Sequence, residues 1–484
     1  MKTPDLSLSD LGSYFPDDFT PEQRAKTQTV FLRELAASVH KFYRGKIVSM
    51  PKAGIYGFNW FNVYYTPGVS KISTTIRDNN DASFDLSNRG NLVAVVSDST
   101  RVLGDGDVTP PGGLGVMEGK AFLMKYLAGV DGVALCVDSY NKQGKHDPDK
   151  IIDFVKMVQP SFGAINLEDI SLPNCFKVLD TLREECDIPV WHDDAQGTAS
   201  VTLAGLINAL RVVGKELNKV NIVFLGTGAA NSTSARLLLA DGADPERMIA
   251  FDIYGGLHKG RDDMRTDEAY RRVWEIAEAT NPKRIDTPEE AFKGADVVIA
   301  ASAPGPDVIK QQWIRSMNEK AVVFACANPV PEIYPYAAKE AGAYVVATGR
   351  GDFPNQVNNS IGFPGILKGA LMVRARKITD AMAIAAAHSV ANYAEKQGLS
   401  PDYIMPTMQD TEVFAVEAAD VAMQAIKDGV ARVDLEWDEV YKTTMRDIHE
   451  TRAAIDLLQK NDLIKAPDLK MLEEARDRAV AQVM

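Results

Sequence analysis

Cysteine is scarce in this chain: Cys136, Cys175, Cys186 and Cys326 are the four in 484 residues. None forms a C-x-x-C pair. The scatter excludes a disulfide framework and reads as the reduced, buried thiols of a cytoplasmic protein. Positive charge is also short. Lys and Arg total 53 against 66 Asp and Glu, a formal net charge of -13. That balance argues against nucleic acid or an anionic membrane as the main partner, while leaving room for a local basic pocket that takes a small anion. Long apolar runs are missing, and stretches such as 295–301 are far too short to span a bilayer. The opening MKTPDLSLSD carries no apolar h-region, so a secretory signal is not expected. The histidines (His40, His146, His192, His258, His388 and His449) form no H-x-x-x-H or H-x-H group, and therefore no soft-metal site. Internal repeats and low-complexity tracts are absent as well.

What remains is the composition of a globular protein long enough for two or three domains with a large core. Apolar residues at helical spacing (Val30, Leu32, Leu35, Val39) predict a helix over 21–41. Residues 62–70 (NVYYTPGVS) read as a strand end running into a Pro-Gly turn. Short β-branched runs predict buried strands at 92–96, 133–137 and 164–167, with a helix over 118–127. A long helix is expected over 198–217. The strand–helix alternation then continues with strands at 220–225, 248–252, 295–301, 321–326 and 343–348, and such alternation implies parallel sheet. Beyond Lys377 the chain reads as helices. The fold class is α/β: a Rossmann-type dinucleotide-binding domain, an α/β substrate- and metal-binding domain, and a helical C-terminus. The expected boundaries are 1–193 for substrate and metal, 194–358 for the dinucleotide, and 359–484 for helices packing back on the catalytic domain.

The segment VNIVFLGTGAANSTSARLLLADGA is strand, turn and helix. Gly226 permits the tight turn, Thr227 follows, and Gly228 lets the backbone approach a pyrophosphate. Ala229 and Ala230 open a helix whose N–H groups and dipole face that phosphate. Asp252 closes the next strand, where an acid binds ribose hydroxyls and repels a 2′-phosphate. NAD is therefore expected ahead of NADP, although His258, Lys259 and Arg261 lie close enough to admit NADP. Asn231 stands at the third fingerprint position, where Gly or Ala is usual, and is expected to loosen helix–strand packing. A plain glycine turn in an α/β fold is the competing explanation.

Two acidic pairs stand out. Glu168-Asp169 follows a strand in AINLEDI, and Asp193-Asp194 follows one in PVWHDDAQGTA. Converging carboxylates repel one another and raise a pKa unless a cation neutralises them, and an all-oxygen set suits Mg²⁺ or Mn²⁺. Helix capping by Asp194 is the alternative. Lys120, in VMEGKAFL, is either a desolvated base or a solvated helix lysine. Tyr65 is either a functional hydroxyl or a core aromatic. Arg101 can grip a carboxylate or lie on the surface. Asn328 and Asn358-Asn359 can bind substrate or serve as turn residues.

Taken in order, these segments resemble the malic enzymes. The resembling stretches are YYTPGV (64–69), GNLVAVVSDSTRVLG (90–104), VMEGKA (116–121), INLEDI (165–170), PVWHDDAQGTA (189–199), LGTGAA (225–230), FACANPVPEI (324–333) and ATGRGDFPNQVNNSIGFPGI (347–366). The likeness covers roughly residues 40–430. The VMEGK form resembles the smaller prokaryotic type, whereas Arg101 is more like the larger type. The resemblance implies oxidative decarboxylation of (S)-malate to pyruvate and CO2 with reduction of NAD, NADP being possible. It implies Mn²⁺ or Mg²⁺ on Glu168, Asp169 and Asp194. Lys120 would take the C2 hydroxyl proton, with Asp193 positioning it, and Tyr65 would protonate C3. Arg101, Asn328 and Asn359 would hold substrate carboxylates, and Asn328 would also touch the cofactor alongside Gly226, Thr227, Gly228, Ala229, Ala230 and Asp252. A homodimer or higher homo-oligomer is expected. The chain departs from the pattern at Asn231, in the long acidic loop 104–115, and in the tail beyond about 431. A malolactic-type lyase, a decarboxylating dehydrogenase for a diacid such as tartrate, and a silent dinucleotide-binding protein are the competing functions.

Overall fold

The computed structural model describes residues 1–102, 104–265 and 267–484. Among the described residues, ten strands form two sheets. β1 (Leu92–Ser97), β2 (Asp131–Cys136), β3 (Ala164–Leu167) and β4 (Val190–His192) are all parallel, in the order β2-β1-β3-β4. The second sheet contains β5 (Ile222–Leu225), β6 (Met248–Asp252), β7 (Gly255–Gly256), β8 (Val297–Ala300), β9 (Ala321–Ala325) and β10 (Ala343–Thr348). Its order is β10-β9-β8-β5-β6-β7, and only the short β7 runs antiparallel.

β1 shows why these runs are apolar throughout rather than alternating. Val93 and Val95 enter one core with Met117 and Met124 of helix Leu114–Ala128. Ala94 and Val96 enter another with Ile151, Val155, Val178 and Leu182 from helices Pro148–Val158 and Asn174–Glu185. Successive side chains point to opposite faces, and helices cover both. β5 repeats the arrangement: Ile222 and Phe224 face the large core, Val223 and Leu225 the cluster beneath Phe292 and Ile314.

Each sheet reverses its strand order once, at β1 in the first and β5 in the second. Ligands in open α/β sheets enter beyond the carboxyl ends of the strands at such a reversal. Residues 98–101 leave the first sheet there after β1, Glu168 and Asp169 leave it after β3, and Gly226 leaves the second after β5.

Two local expectations change. Residues 62–70 contain no strand: helix Trp60–Tyr64 leads into the turn and helix Val69–Asp78 leaves it. The aromatic and β-branched residues there lie on the surface, so no sheet neighbour rewards an extended backbone. The helix expected over 198–217 is Thr198–Val213, stopped by Gly214 in the left-handed region at φ 71°.

The chain forms two compact units. Residues 52–448 form one and contain both sheets, while residues 1–51 with 449–484 form the other. In the latter, helix Pro21–Tyr43 starts at a capping box between Thr20 and Gln23. It buries Phe31 and Leu35, with Tyr14 and Phe15, against Leu472, Ala475 and Ala479 of helix Leu469–Val483. Among the described residues no helix is long and apolar enough to cross a membrane.

Candidate functional site

Helix Leu114–Ala128 presents Lys120 to the carboxyl ends of β3 and β4. Only 9% of Lys120 is exposed. Its ammonium pairs with Asp193, lies 3.1 Å from Glu168 Oε1, and donates to Asn359 Oδ1 at 3.2 Å. The Phe363 ring sits 4.6 Å beneath it. Neither sequence alternative for this lysine survives unchanged. Lys120 is not solvated, and it is not made neutral by burial. Burial alone disfavours the ammonium, but Asp193 and Glu168 outweigh it and hold the pKa above the ordinary lysine value.

Asp193 and Asp194 lie in a π-helical turn, Asp193–Gly197, between β4 and helix Thr198–Val213. Single π-turns splay neighbouring side chains and gather at functional sites. Asp193 is wholly buried, and its Oδ1 accepts the indole N–H of Trp191 at 3.1 Å. Asp194 turns the other way and accepts the backbone N–H of Asp169 at 2.7 Å. Asp194 thus caps no helix in the usual sense; it spans from β4 to β3. Asp169 has φ 54°, a left-handed conformation that costs about 1–2 kcal/mol in a non-glycine residue.

One oxygen from each of Glu168, Asp169 and Asp194 falls within 4.8 Å of the others. Burial pushes the Glu168 carboxyl well above its ordinary range against the pull of Lys120. Asn166 orients it by donating to Oε2 at 2.9 Å. Hard oxygen donors, crowded and partly desolvated, fit a divalent cation.

The remaining candidates divide. Asn359 belongs to the cluster. Arg101 donates its backbone N–H to the Asp169 carbonyl at 3.0 Å, and its side chain is exposed. Asn328 lies against the 104–115 loop, its carbonyl oxygen 2.8 Å from where a Cβ on Gly104 would stand. The 104–115 loop therefore meets the Asn328 turn, and Asp107 of that loop is held by His146 Nε2 at 3.0 Å and Tyr140 OH at 3.2 Å. Tyr65 is 74% exposed, and none of the cluster's hydrogen bonds reaches it.

The phosphate turn has the shape a dinucleotide needs. Gly226 has φ 82°, and a Cβ there would lie 2.7 Å from the Ala301 carbonyl oxygen. Beside Gly228 the space is open to 4 Å, at the N-terminus of helix Ala229–Ala240 with its unpaired N–H groups. Thr227, Ala229 and Ala230 line the same half-exposed mouth. Asn231 does not loosen this turn. Its buried Nδ2 donates to the carbonyls of Leu225 at 3.0 Å, Gly226 at 2.9 Å and Ile299 at 3.2 Å, tying β5, the turn and β8 together. The expectation failed because it weighed side-chain size and ignored the amide's donors. Glu332 does similar work opposite, accepting the backbone N–H groups of Ser302 at 2.8 Å and Ala327 at 3.0 Å.

Sequence reasoning missed Asn166, Trp191, Glu332 and Phe363. Asn166 and Trp191 each precede their acid by two residues on a strand, a same-face spacing that could have found them. Phe363 and Glu332 carried no such local signal.

Two family models match the chain. "Malic enzyme, N-terminal domain" covers residues 58–183 and "Malic enzyme, NAD binding domain" covers 195–427. The solved structure of Entamoeba histolytica malic enzyme superposes with a TM-score of 0.98 at 61% identity, over 100% of both chains. The bifunctional malic/malolactic enzyme of Bacillus subtilis is 41% identical, over 86% of this chain and 98% of its own length. The NADP-dependent malic enzyme of Halomonas elongata is also 41% identical, over 76% and 87%. With one model matched over residues 58–183 and the other over 195–427, the chain belongs to the malic enzyme family.

Proposed function

We propose that the chain oxidises (S)-malate at C2 and releases its C4 carboxylate as CO2, giving pyruvate and reduced NAD(P). The observation that carries this reading is the Lys120–Asp193 pair, set 3.1 Å from Glu168 of the carboxylate triad. A divalent cation on Glu168, Asp169 and Asp194 would supply Lewis-acid polarisation, and a nicotinamide held from the Gly226 turn would accept the hydride. Manganese and magnesium both suit the all-oxygen donor set.

The chain's own residues do the rest. Lys120 takes the C2 hydroxyl proton, and Asp193, fixed by Trp191, keeps its Nζ aimed at that oxygen. The carboxylates around Lys120 favour its protonated form. Neutralising the charge of Glu168 weakens the field that retains that proton, so loading the triad favours the base form. Asn359, bonded to the same ammonium, and Arg101 and Asn328 bind substrate carboxylates. Tyr65 delivers the proton to C3. Its exposure within an apolar surface run that includes Tyr56, Phe58 and Phe61 supports a homodimer that covers this segment. The division at 193/194 and 358/359 belongs to the same reading, supported by the first sheet's strands ending at His192 and the second's lying between Ile222 and Thr348. The four free thiols support a cytoplasmic setting.

The name of the Bacillus relative makes a second outcome concrete: a malolactic reaction that yields lactate without net cofactor reduction. A panel of malate and related hydroxy-diacids with Mn²⁺ and either cofactor, reading both nicotinamide reduction and organic-acid products, tests the proposal. Reduction matched by pyruvate supports it. Lactate without reduction moves the assignment to the lyase.

A further inference from the structure

Asp252 ends β6 and is followed by two strongly exposed apolar residues, Ile253 (89%) and Tyr254 (77%). An acid at this place ordinarily accepts from ribose hydroxyls and repels a 2′-phosphate. Here it is not a free carboxylate. Arg261 holds it bidentately, Nη1 to Oδ1 at 3.1 Å and Nη2 to Oδ2 at 2.7 Å, and Oδ1 also accepts the Tyr254 N–H at 2.8 Å. The same guanidinium is gripped from its other side by Asp263, Nε to Oδ1 and Nη2 to Oδ2, each at 2.8 Å. Arg261 and Asp252 are largely buried (side chains 12% and 17% exposed), whereas Asp263 is 53% exposed.

Counting donors and acceptors shows what the clamp leaves available. A carboxylate has about four lone-pair sites, and three on Asp252 are used, so one remains for a ribose hydroxyl. The guanidinium has five N–H groups. Four are committed to Asp252 and Asp263, and the fifth, on Nη1, has only a long contact of 3.5 Å to the Gly256 carbonyl. The guanidinium offsets the charge of Asp252 but shares itself with Asp263, so the trio keeps one negative charge, and one guanidinium N–H remains for an anionic oxygen beside it. Asp263 opposes such an anion by adding a second negative charge and by occupying the other edge of the guanidinium.

We propose that Arg261 sets this chain's choice between NAD and NADP, neutralising Asp252 so that the site accepts a 2′-phosphate as well as a 2′-hydroxyl, with Asp263 limiting how well the phosphate is held. The inference rests on the reading that the Gly226 turn carries the dinucleotide and goes beyond it to name the residue that selects at the ribose. His258 supports the loop from below: its Nδ1 accepts the Gly260 N–H at 3.0 Å, fixing the approach to Arg261.

The test uses 5′-AMP and 2′,5′-ADP, which differ only at the 2′ position, as competitors of NADH binding to the intact protein followed by fluorescence. The unaltered protein is expected to bind 2′,5′-ADP within about tenfold of 5′-AMP. Arg261→Ala is expected to weaken 2′,5′-ADP by about tenfold or more and 5′-AMP by less than about threefold. Asp263→Asn, at an exposed position, is expected to tighten 2′,5′-ADP by about threefold. Equal losses for both nucleotides in Arg261→Ala, or no loss in either, overturns the proposal, as does unchanged or weaker 2′,5′-ADP binding in Asp263→Asn. Absence of NADH binding to the unaltered protein overturns the placement of the dinucleotide itself, a result distinguishable from the others.

Discussion

Asp194 accepts the backbone N–H of Asp169 at 2.7 Å, so one carboxylate of the three that fit a metal is tied to the main chain of another by a bond that needs no metal. The bond links the turn after β4 to the second residue after β3, the two strands that end beneath Lys120. A site braced in this way is largely pre-formed. Asp194→Asn keeps an acceptor for the Asp169 N–H but removes a charge from the triad. It is expected to weaken Mn²⁺ by about 100-fold or more while leaving the melting temperature of the metal-free protein nearly unchanged. Titration calorimetry with Mn²⁺ checks this, and a melting temperature that collapses with the substitution contradicts it.

Lys120→Ala removes the cation that, among the described residues, is bonded to Asp193. Breaking one partner of a buried ion pair costs about 3–5 kcal/mol, because the carboxylates left behind are uncompensated. Turnover and stability should therefore fall together. Lys120→Ala assayed with Asp193→Asn in the same chain should recover part of the stability but none of the turnover. Denaturant melts and single-turnover hydride transfer separate the two, and turnover persisting in Lys120→Ala removes its assignment as the base.

Asn231→Ala takes the donors away from three backbone carbonyls at the phosphate turn. The Leu225 carbonyl keeps the Ala301 N–H at 3.1 Å, and losing the amide's hydrogen bonds costs about 1 kcal/mol each. The expected signature is a higher Kd for NADH with an unchanged KM for malate. An equal or tighter Kd indicates that the turn is held without the amide.

How far the sequence foretold this depends on how local each feature is. The strands at 164–167, 248–252 and 343–348 lie within the bounds their β-branched runs predict, since a buried parallel strand announces itself residue by residue. The acidic pairs were legible for the same reason, because each sits at the end of a visible strand. Asn231 was visible but misread, since its effect depends on β8, nearly seventy positions away. Tyr65 was placed in a strand end and lies on an exposed helical turn, where its apolar neighbours mimic a buried segment. Helices Pro21–Tyr43 and Leu469–Val483 pair across almost the whole chain, and nothing in either amphipathic pattern names its partner.

Glu417, on helix Thr411–Lys427, is wholly buried, and among the described residues neither carboxylate oxygen has a hydrogen-bond partner. Burial, reinforced by Asp420 and Asp193, pushes its pKa well above the ordinary range. A raised folded pKa means that the folded protein binds the proton more tightly than the unfolded one. The stability this gives is complete below the unfolded value of about 4.3 and is lost as pH climbs towards the folded value. The protein should therefore lose stability relative to Glu417→Gln by up to about 1.4 kcal/mol per pH unit through this range. Denaturant midpoints of both proteins from acid to neutral pH provide the check, and parallel curves contradict the account.

The central claim is that the Lys120–Asp193 pair and the carboxylate triad serve one redox decarboxylation. Its most direct test is the stoichiometry of products from (S)-malate with Mn²⁺ and NAD or NADP. The account predicts reduced cofactor and pyruvate in equal amounts, both abolished when the metal is chelated. Lactate without reduced cofactor, or turnover that survives chelation, would contradict it.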